Sequence, residues 1–454
     1  MSDILLVILA VVFVLGVAIN IHEFGHFIVA KLLGMRVDAY SFFGLGPRVW
    51  GFKIGHTDYR ISAIPLGAYV KLYGDEATGP LEGKDDQEDE VPESELYELR
   101  PRWQKFLVMI GGPFMNLVLA FCIPFFGSLA LGVPSMPAPI VGMVKESGAA
   151  ERAGIKVGDR IIAFDGVEDP TWGRIKNDSL IAPDKEIPIA VERGGKRIDL
   201  TIKPTKEVLD GNTVGMIDLE PEREAQNVVV GEIESDMPAA GSGLQPGDWI
   251  VSVNGQPVTS RSQMSGLVGK VEGQPINMIV NRNGERKEIT TTTKQDNTGK
   301  WRIGIRFQEQ ETERESVGIG QAAFFAVDQN LEIIRLTGKV FGQLFSGQRS
   351  VKDAGVAGPV GIVQIIAQMV REAGFAGLFP ILMVISLNLG IFNLLPIPML
   401  DGGQIAVLGL EGLLALFGLK LSMAIKEKIQ LVGLGLILVL MVLVLYLDIS
   451  RLIG

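Results

Sequence analysis

The chain has 454 residues, 47% of them hydrophobic and only 21% charged, which points to a membrane protein rather than an ordinary soluble enzyme. Its net charge of −10 argues against nucleic acid as a partner, because a phosphate backbone is bound by clustered Lys and Arg. The single cysteine, Cys122, can close no intrachain disulfide and reads as a small buried hydrophobe.

Four stretches are long and apolar enough to span a bilayer. The first runs from about Ile4 to Leu33. It has only Asp3 in place of a basic n-region and far exceeds a signal h-region, so it reads as a retained helix. Inside it, INIHEFGHFIVAKLL sets His22, Glu23 and His26 among apolar residues. A charge at the centre of a membrane helix costs about 2.5–3.5 kcal/mol, so these residues need partners or a use. The next stretch, from Tyr40 to Gly74, is rich in aromatic and β-branched residues punctuated by Gly and Pro, and reads as short strands joined by turns. DEATGPLEGKDDQEDEVPESELYE follows as a solvated acidic linker, and then comes the second span, from about Phe106 to Leu131.

AGIKVGDRIIAFDG, from Ala153, recurs as SGLQPGDWIVSVNG, from Ser242, at an offset of 89 residues with no gap. Each copy ends in Asp-Gly or Asn-Gly, a hairpin signal, and is followed by two strand-like runs separated by a Gly turn. The copies resemble PDZ domains, which take up an extended peptide as an added strand and often capture a C-terminal carboxylate. Two readings stay open: peptide binding, or service as steric filters and spacers.

Beyond the repeats, residues 318–372 read as helices with apolar faces, too polar to span. They lie either at the membrane surface or packed against the repeats. The third span, from about Leu378 to Leu400, is broken by Pro396 and Pro398 and closed by Gly402 and Gly403. The fourth runs from about Ile429 to Leu447. Lys31, Arg36, Arg100, Arg102 and Lys105 place the first inter-span loop in the cytoplasm, and Lys420, Lys426 and Lys428 do the same for the last. Both termini and the repeats then lie outside.

HEFGH has the HExxH form. On a helix, His22 and His26 fall on one face and can hold one metal ion, with Glu23 within reach of a water on that ion. Zinc suits neutral imidazoles, and a catalytic site takes three protein ligands. The third candidate is Asp401; Asp38 and His56 are less suitable, His56 reading as a surface residue. The first and third spans run in the same direction, and His22 and Asp401 both fall toward their cytoplasmic ends at about 1.5 Å per residue. The bland reading of Asp401 is an interfacial carboxylate.

HEFGH in the first span, GGPFMN in the second, NLLPIPMLDGG in the third and tandem PDZ-like repeats between them together resemble the site-2 protease family of intramembrane zinc metalloproteases. GLGPRVWGFKIGHTDYRISAIPLGAYVKL resembles that family's membrane-associated β-region, with Ala68 where a second glycine is more usual. The resemblance implies one zinc ion held by His22, His26 and Asp401, Glu23 as general base, and Asn388 and Asn393 handling substrate. It implies single-span substrates, namely anti-sigma factors and remnant signal peptides, and a bacterial inner-membrane location.

The expected fold is a polytopic α-helical membrane protein with four transmembrane helices, a cytoplasmic membrane-associated β-region and two extracytoplasmic PDZ-like α+β domains. In order, the segments are a first helix (1–35), a β-rich loop (36–75), an acidic linker (76–100), a second helix (104–132) and PDZ copies (135–225 and 226–310). Amphipathic periplasmic helices (318–372), a third segment (376–402) and a fourth helix (429–448) complete it. Two rival readings are a PDZ-bearing membrane scaffold or chaperone with a non-catalytic metal, and a metal transporter. The transporter has no need of Glu23 or of the repeats.

Overall fold

A computed structural model of the chain describes residues 3–64, 67–74, 91–135, 138–209, 212–221, 228–258, 261–296, 299–308, 314–350 and 358–453. The helices there are α1 (Asp3–Leu32), α2 (Arg102–Leu131), α3 (Ala149–Arg152), α4 (Trp172–Leu180), α5 (Arg261–Gly269), α6 (Ile319–Phe345), α7 (Pro359–Ala373), α8 (Leu378–Asn393), α9 (Asp401–Leu416) and α10 (Met423–Ile453). Among the described residues, four helical stretches are long and apolar enough to cross a membrane: Ile4–Leu32, Arg102–Leu131, Phe375–Asn393 and Ala424–Ser450. The chain forms two compact units, one of residues 1–133, 316–338 and 356–454, the other of 134–315 and 339–355. The acidic linker expected at 76–100 lies outside the described residues as far as residue 90.

In the first unit, α1 packs on α2, α7 and α8, and α2 also meets α8 and α9. In lipid there is little hydrophobic drive between helices, so small residues that let backbones approach decide where they cross. Here Gly25 meets Gly111 and Gly112, and a Cβ on Gly111 would stand 2.6 Å from the Gly25 carbonyl oxygen.

The third span departs from the single segment expected at 376–402. α8 ends at Asn393, and Asp401 opens α9 rather than closing a helix. Pro396 and Pro398 supply no N–H and push the residues before them out of the helical region, which ends α8 early. Gly402 and Gly403 do not close the span either: they lie in the first turn of α9, where a Cβ would collide with backbone of Leu394 and Ile397.

For residues 318–372, α7 and the first part of α6 find their partners on the spanning helices. Ile366 and Val370 of α7 pack on Ala10, Val14 and Ala18 of α1. The Asn330 side chain of α6 donates to the Ala120 carbonyl of α2 at 3.1 Å. Asp448, a buried carboxylate of α10, caps the start of α7 by accepting from the N–H groups of Gly358, Val360 and Gly361, each at 3.0 Å. Orphan amides at a helix N-terminus are stabilised by an anion, which explains a carboxylate in so apolar a helix.

Between α1 and α2, four strands form a sheet: β1 (Val37–Phe43), β2 (Leu45–Ile54), β3 (Thr57–Ile64) and β4 (Tyr69–Leu72), in the order β2-β3-β1-β4. β1 and β3 are parallel and the other pairs antiparallel. Val37, Tyr40, Val70 and Leu72 seat the sheet on Phe27 and Ala30 of α1 and on Val108 and Met109 of α2. That seat places the edge strand β4 beside the HExxH turn.

In the second unit, the two sequence repeats pair their strands alike. In the first, Arg160–Phe164 pairs with Ile187–Arg193, which pairs with Lys196–Ile202. In the second, Trp249–Val253, Pro275–Arg282 and Glu285–Thr292 do the same. The Asp-Gly and Asn-Gly pairs both take positive φ, 50° and 78° at Asp165 and Gly166, 49° and 77° at Asn254 and Gly255. Each sits in the turn of a tight hairpin, as that chemistry requires.

The repeated Gly-Asp has a structural purpose. Asp159 and Asp248 are buried, and each is gripped by an arginine 34 residues on. Arg193 donates to both oxygens of Asp159 at 2.6 Å, and Arg282 to those of Asp248 at 2.6 and 2.8 Å. Burial works to raise each carboxyl pKa, but the arginine hydrogen bonds, a backbone N–H and the guanidinium charge outweigh it and hold both below 3.8. Stability from each pair is therefore present above the ordinary carboxylate range and lost as pH falls through the depressed value. Asp159→Asn is expected to raise hydrogen exchange across the first repeat and to flatten its acid loss of protection, leaving the second repeat unchanged. Equal protection in variant and wild type at pH 7 would refute this role.

Candidate metal centre

The i, i+4 spacing on α1 turns His22 and His26 to one side. Their Nε2 atoms are 3.2 Å apart. Asp401, at the start of α9, places Oδ2 3.1 Å from His22 Nε2 and Oδ1 3.5 Å from His26 Nε2. The turn that delivers it contains Met399 at φ +80°, a conformation that costs a non-glycine residue about 1–3 kcal/mol and is retained where surrounding structure demands it.

Donor distances test whether these residues suit a metal. A tetrahedral ion with bonds of about 2.0–2.2 Å holds its donors about 3.3–3.6 Å apart, close to the three separations found. Asp401 Oδ2 is buried and has no hydrogen-bond partner, although His22 Nε2 stands 3.1 Å away. Closeness without a hydrogen bond fits donors that share a cation. Two imidazoles and a carboxylate are a zinc donor set, and three protein donors leave one position for reaction.

Helix α2 supplies the surroundings. His26 Nδ1 lies 2.7 Å from the Val108 carbonyl oxygen, so that nitrogen carries the proton and Nε2 keeps its lone pair. Asn116 Nδ2 lies 3.2 Å from His22 Nδ1. Gly112 leaves room for both rings: a Cβ there would overlap His26 Nε2 and stand 2.9 Å from His22 Cε1. Gly112→Ala is accordingly expected to lower the metal content of purified protein about tenfold or more, the scale of lost outer-shell support. Gly127→Ala, facing open space on the same helix, should leave it unchanged. Equal metal in both variants would contradict the close approach.

The other sequence candidates fall as follows. Glu23 belongs to the same turn, and its carboxylate faces the Val70 backbone N–H of β4. Asn393, the last residue of α8, brings Nδ2 to 3.2 Å from His22 Nε2. Asn388 lies five residues earlier, its Oδ1 buried and without a hydrogen-bond partner. His56 is exposed between β2 and β3, and Asp38 pairs with Lys71 at 3.1 Å, so neither joins the cluster. Asn116 closes the GGPFMN motif on which the resemblance rests, but no role followed for it from sequence, and Ser386 was not singled out. Asn116 carried a usable signal, being a polar residue inside an apolar span; a lone serine carries almost none.

A family model described as peptidase family M50 matches residues 10–440. The regulator of sigma-E protease RseP of Salmonella typhimurium is 31% identical over 435 residues, covering 91% of this chain and 92% of the relative. RseP of Escherichia coli K12 is 30% identical, covering 87% and 88%. A putative zinc metalloprotease of Vibrio cholerae is 28% identical, covering 95% of each. Among solved structures, the PDZ domain of an SdrC-like protein of Listeria innocua matches 19% of this chain and all of that one, at 24% identity and a TM-score of 0.18.

Proposed function

This chain belongs to peptidase family M50, and from that premise we propose that it is an intramembrane zinc endopeptidase cleaving the spans of single-span membrane proteins. The observation that carries the proposal is the cluster of His22, His26 and Asp401 beside Glu23, with both histidines on a helix apolar enough to cross a membrane. His22, His26 and Asp401 would hold the zinc. When bound, zinc supplies Lewis-acid polarisation of the scissile carbonyl and makes water acidic enough to attack at neutral pH.

The chain's own residues account for the rest. Glu23 takes the proton as the water oxygen bonds to the carbonyl carbon, then delivers it to the nitrogen as the C–N bond breaks. A helical substrate hides its carbonyls in its own hydrogen bonds, so it must be held unwound, and its freed backbone groups need partners. Asn388 and Asn393 supply amide groups for that purpose, and the β-region from Tyr40 to Leu72 offers strand edges.

By analogy with relatives named as regulators of sigma-E, the substrates are anti-sigma factors, with remnant signal peptides as a second class. The repeats act as tandem PDZ domains on the periplasmic side, excluding substrates whose bulky outer part is still attached; they also offer a groove for peptide C-termini. The chain sits in the bacterial inner membrane with both termini periplasmic and the active site toward the cytoplasm. Co-expression with candidate single-span proteins is expected to yield a shortened fragment that disappears in the His22→Ala variant. Fragments formed equally by that variant would remove the proposal.

A further inference from the structure

We propose that Asn116 of α2 and Ser386 of α8 form a positioning pair that fixes the tautomer of His22 so that its Nε2 faces the metal unprotonated. The inference rests on the zinc-centre reading above. Both residues are fully buried, at 0% exposure, within apolar helices. His22 Nδ1 faces Asn116 Nδ2 and His22 Nε2 faces Asn393 Nδ2, each at 3.2 Å. A neutral imidazole has one proton and one lone pair, so it cannot accept from two amide N–H groups at once. One amide must present its oxygen instead.

Ser386 decides which. Its Oγ lies 3.0 Å from the Asn116 backbone oxygen and 3.3 Å from Asn116 Oδ1. The hydroxyl has a single proton and can donate to only one of them. A half-turn of the Asn116 amide exchanges Oδ1 and Nδ2 and resolves both conflicts. Oδ1 then accepts from His22 Nδ1–H, Nδ2 donates to Ser386 Oγ, and the hydroxyl donates to the Asn116 carbonyl. Each link in this chain of bonds then has a donor and an acceptor. His22 Nε2 is left unprotonated, with a lone pair that faces the Asn393 amide here and that a cation would take in its place. His26 already has this tautomer through the Val108 carbonyl, so α2 orients both imidazoles from positions two helical turns apart. An outer partner of this kind raises the basicity of the ligand and prevents ring rotation, and its loss costs about 10–100-fold in metal affinity.

The test is zinc affinity of the purified full-length protein, measured by competition with a chromophoric chelator, for wild type, Asn116→Leu, Asn116→Asp, Ser386→Ala and His22→Ala. Asn116→Leu keeps the volume and removes the acceptor, and is expected to weaken zinc binding about 10–100-fold. Asn116→Asp retains an acceptor for Nδ1–H and is expected to restore most of that loss, which a purely structural asparagine would not allow. Ser386→Ala should weaken binding less, and add nothing in the Asn116→Leu background. Wild-type affinity in Asn116→Leu, or no recovery in Asn116→Asp, overturns the positioning role. Should Asn116→Leu fail to fold, wild-type affinity in Ser386→Ala overturns it instead. Wild-type affinity in His22→Ala would sink the metal-centre reading itself, a separate outcome.

Discussion

Glu23→Gln is expected to keep its zinc and lose about 10²–10⁴ of its cleavage rate, the range by which a positioned acid–base group accelerates proton transfer. Glu23 is not among the clustered donors, which are His22, His26 and Asp401. The replacement amide is nearly isosteric and its oxygen can still face the Val70 N–H of β4, so the packing of α1 against the sheet should survive. It cannot accept and return a proton. Zinc content alongside cleavage of a reporter span separates these effects, and full cleavage by the variant would end the general-base assignment.

Asp401→Asn is expected to cost more in metal and as much in activity. The carboxylate is the only negatively charged donor of the three, and it comes from a different helix from the histidines. An amide in its place removes that charge and brings an NH2 group toward His22 and His26, which stand 3.1 and 3.5 Å from the present oxygens. Zinc affinity should fall by more than about 100-fold, beyond the loss typical of an outer partner. Unchanged zinc after purification and dialysis would exclude Asp401 as a ligand.

What was legible in the sequence follows the range of the interactions. His22, Glu23 and His26 are local: helix periodicity alone puts the histidines on one face. The hairpin turns at Asp165 and Asn254 are local too, since two successive positive φ values select Asp-Gly and Asn-Gly. Asp401 needed a longer argument from span direction and depth, which reached the right neighbourhood but not its place at the head of α9. The prolines signalled a break; they could not show that the chain turns and starts a new helix over Leu394 and Ile397. The arginine grips on Asp159 and Asp248 span 34 residues and become visible only once strands pair. Likewise the parallel pairing of β1 with β3, and the approach of Asn116 to His22, depend on contacts no periodicity encodes.

The proposed activity is zinc-dependent hydrolysis of a peptide bond within a membrane span. The most direct measurement uses purified protein in lipid vesicles with a synthetic single-span peptide, stripped of metal by a chelator and then given zinc, with product masses locating the cut. Cleavage is expected to cease after stripping and to return on adding zinc, with product masses that place the cut among the apolar residues of the span. Cleavage that persists without metal, or that falls only in the flanking polar segments, would contradict that activity.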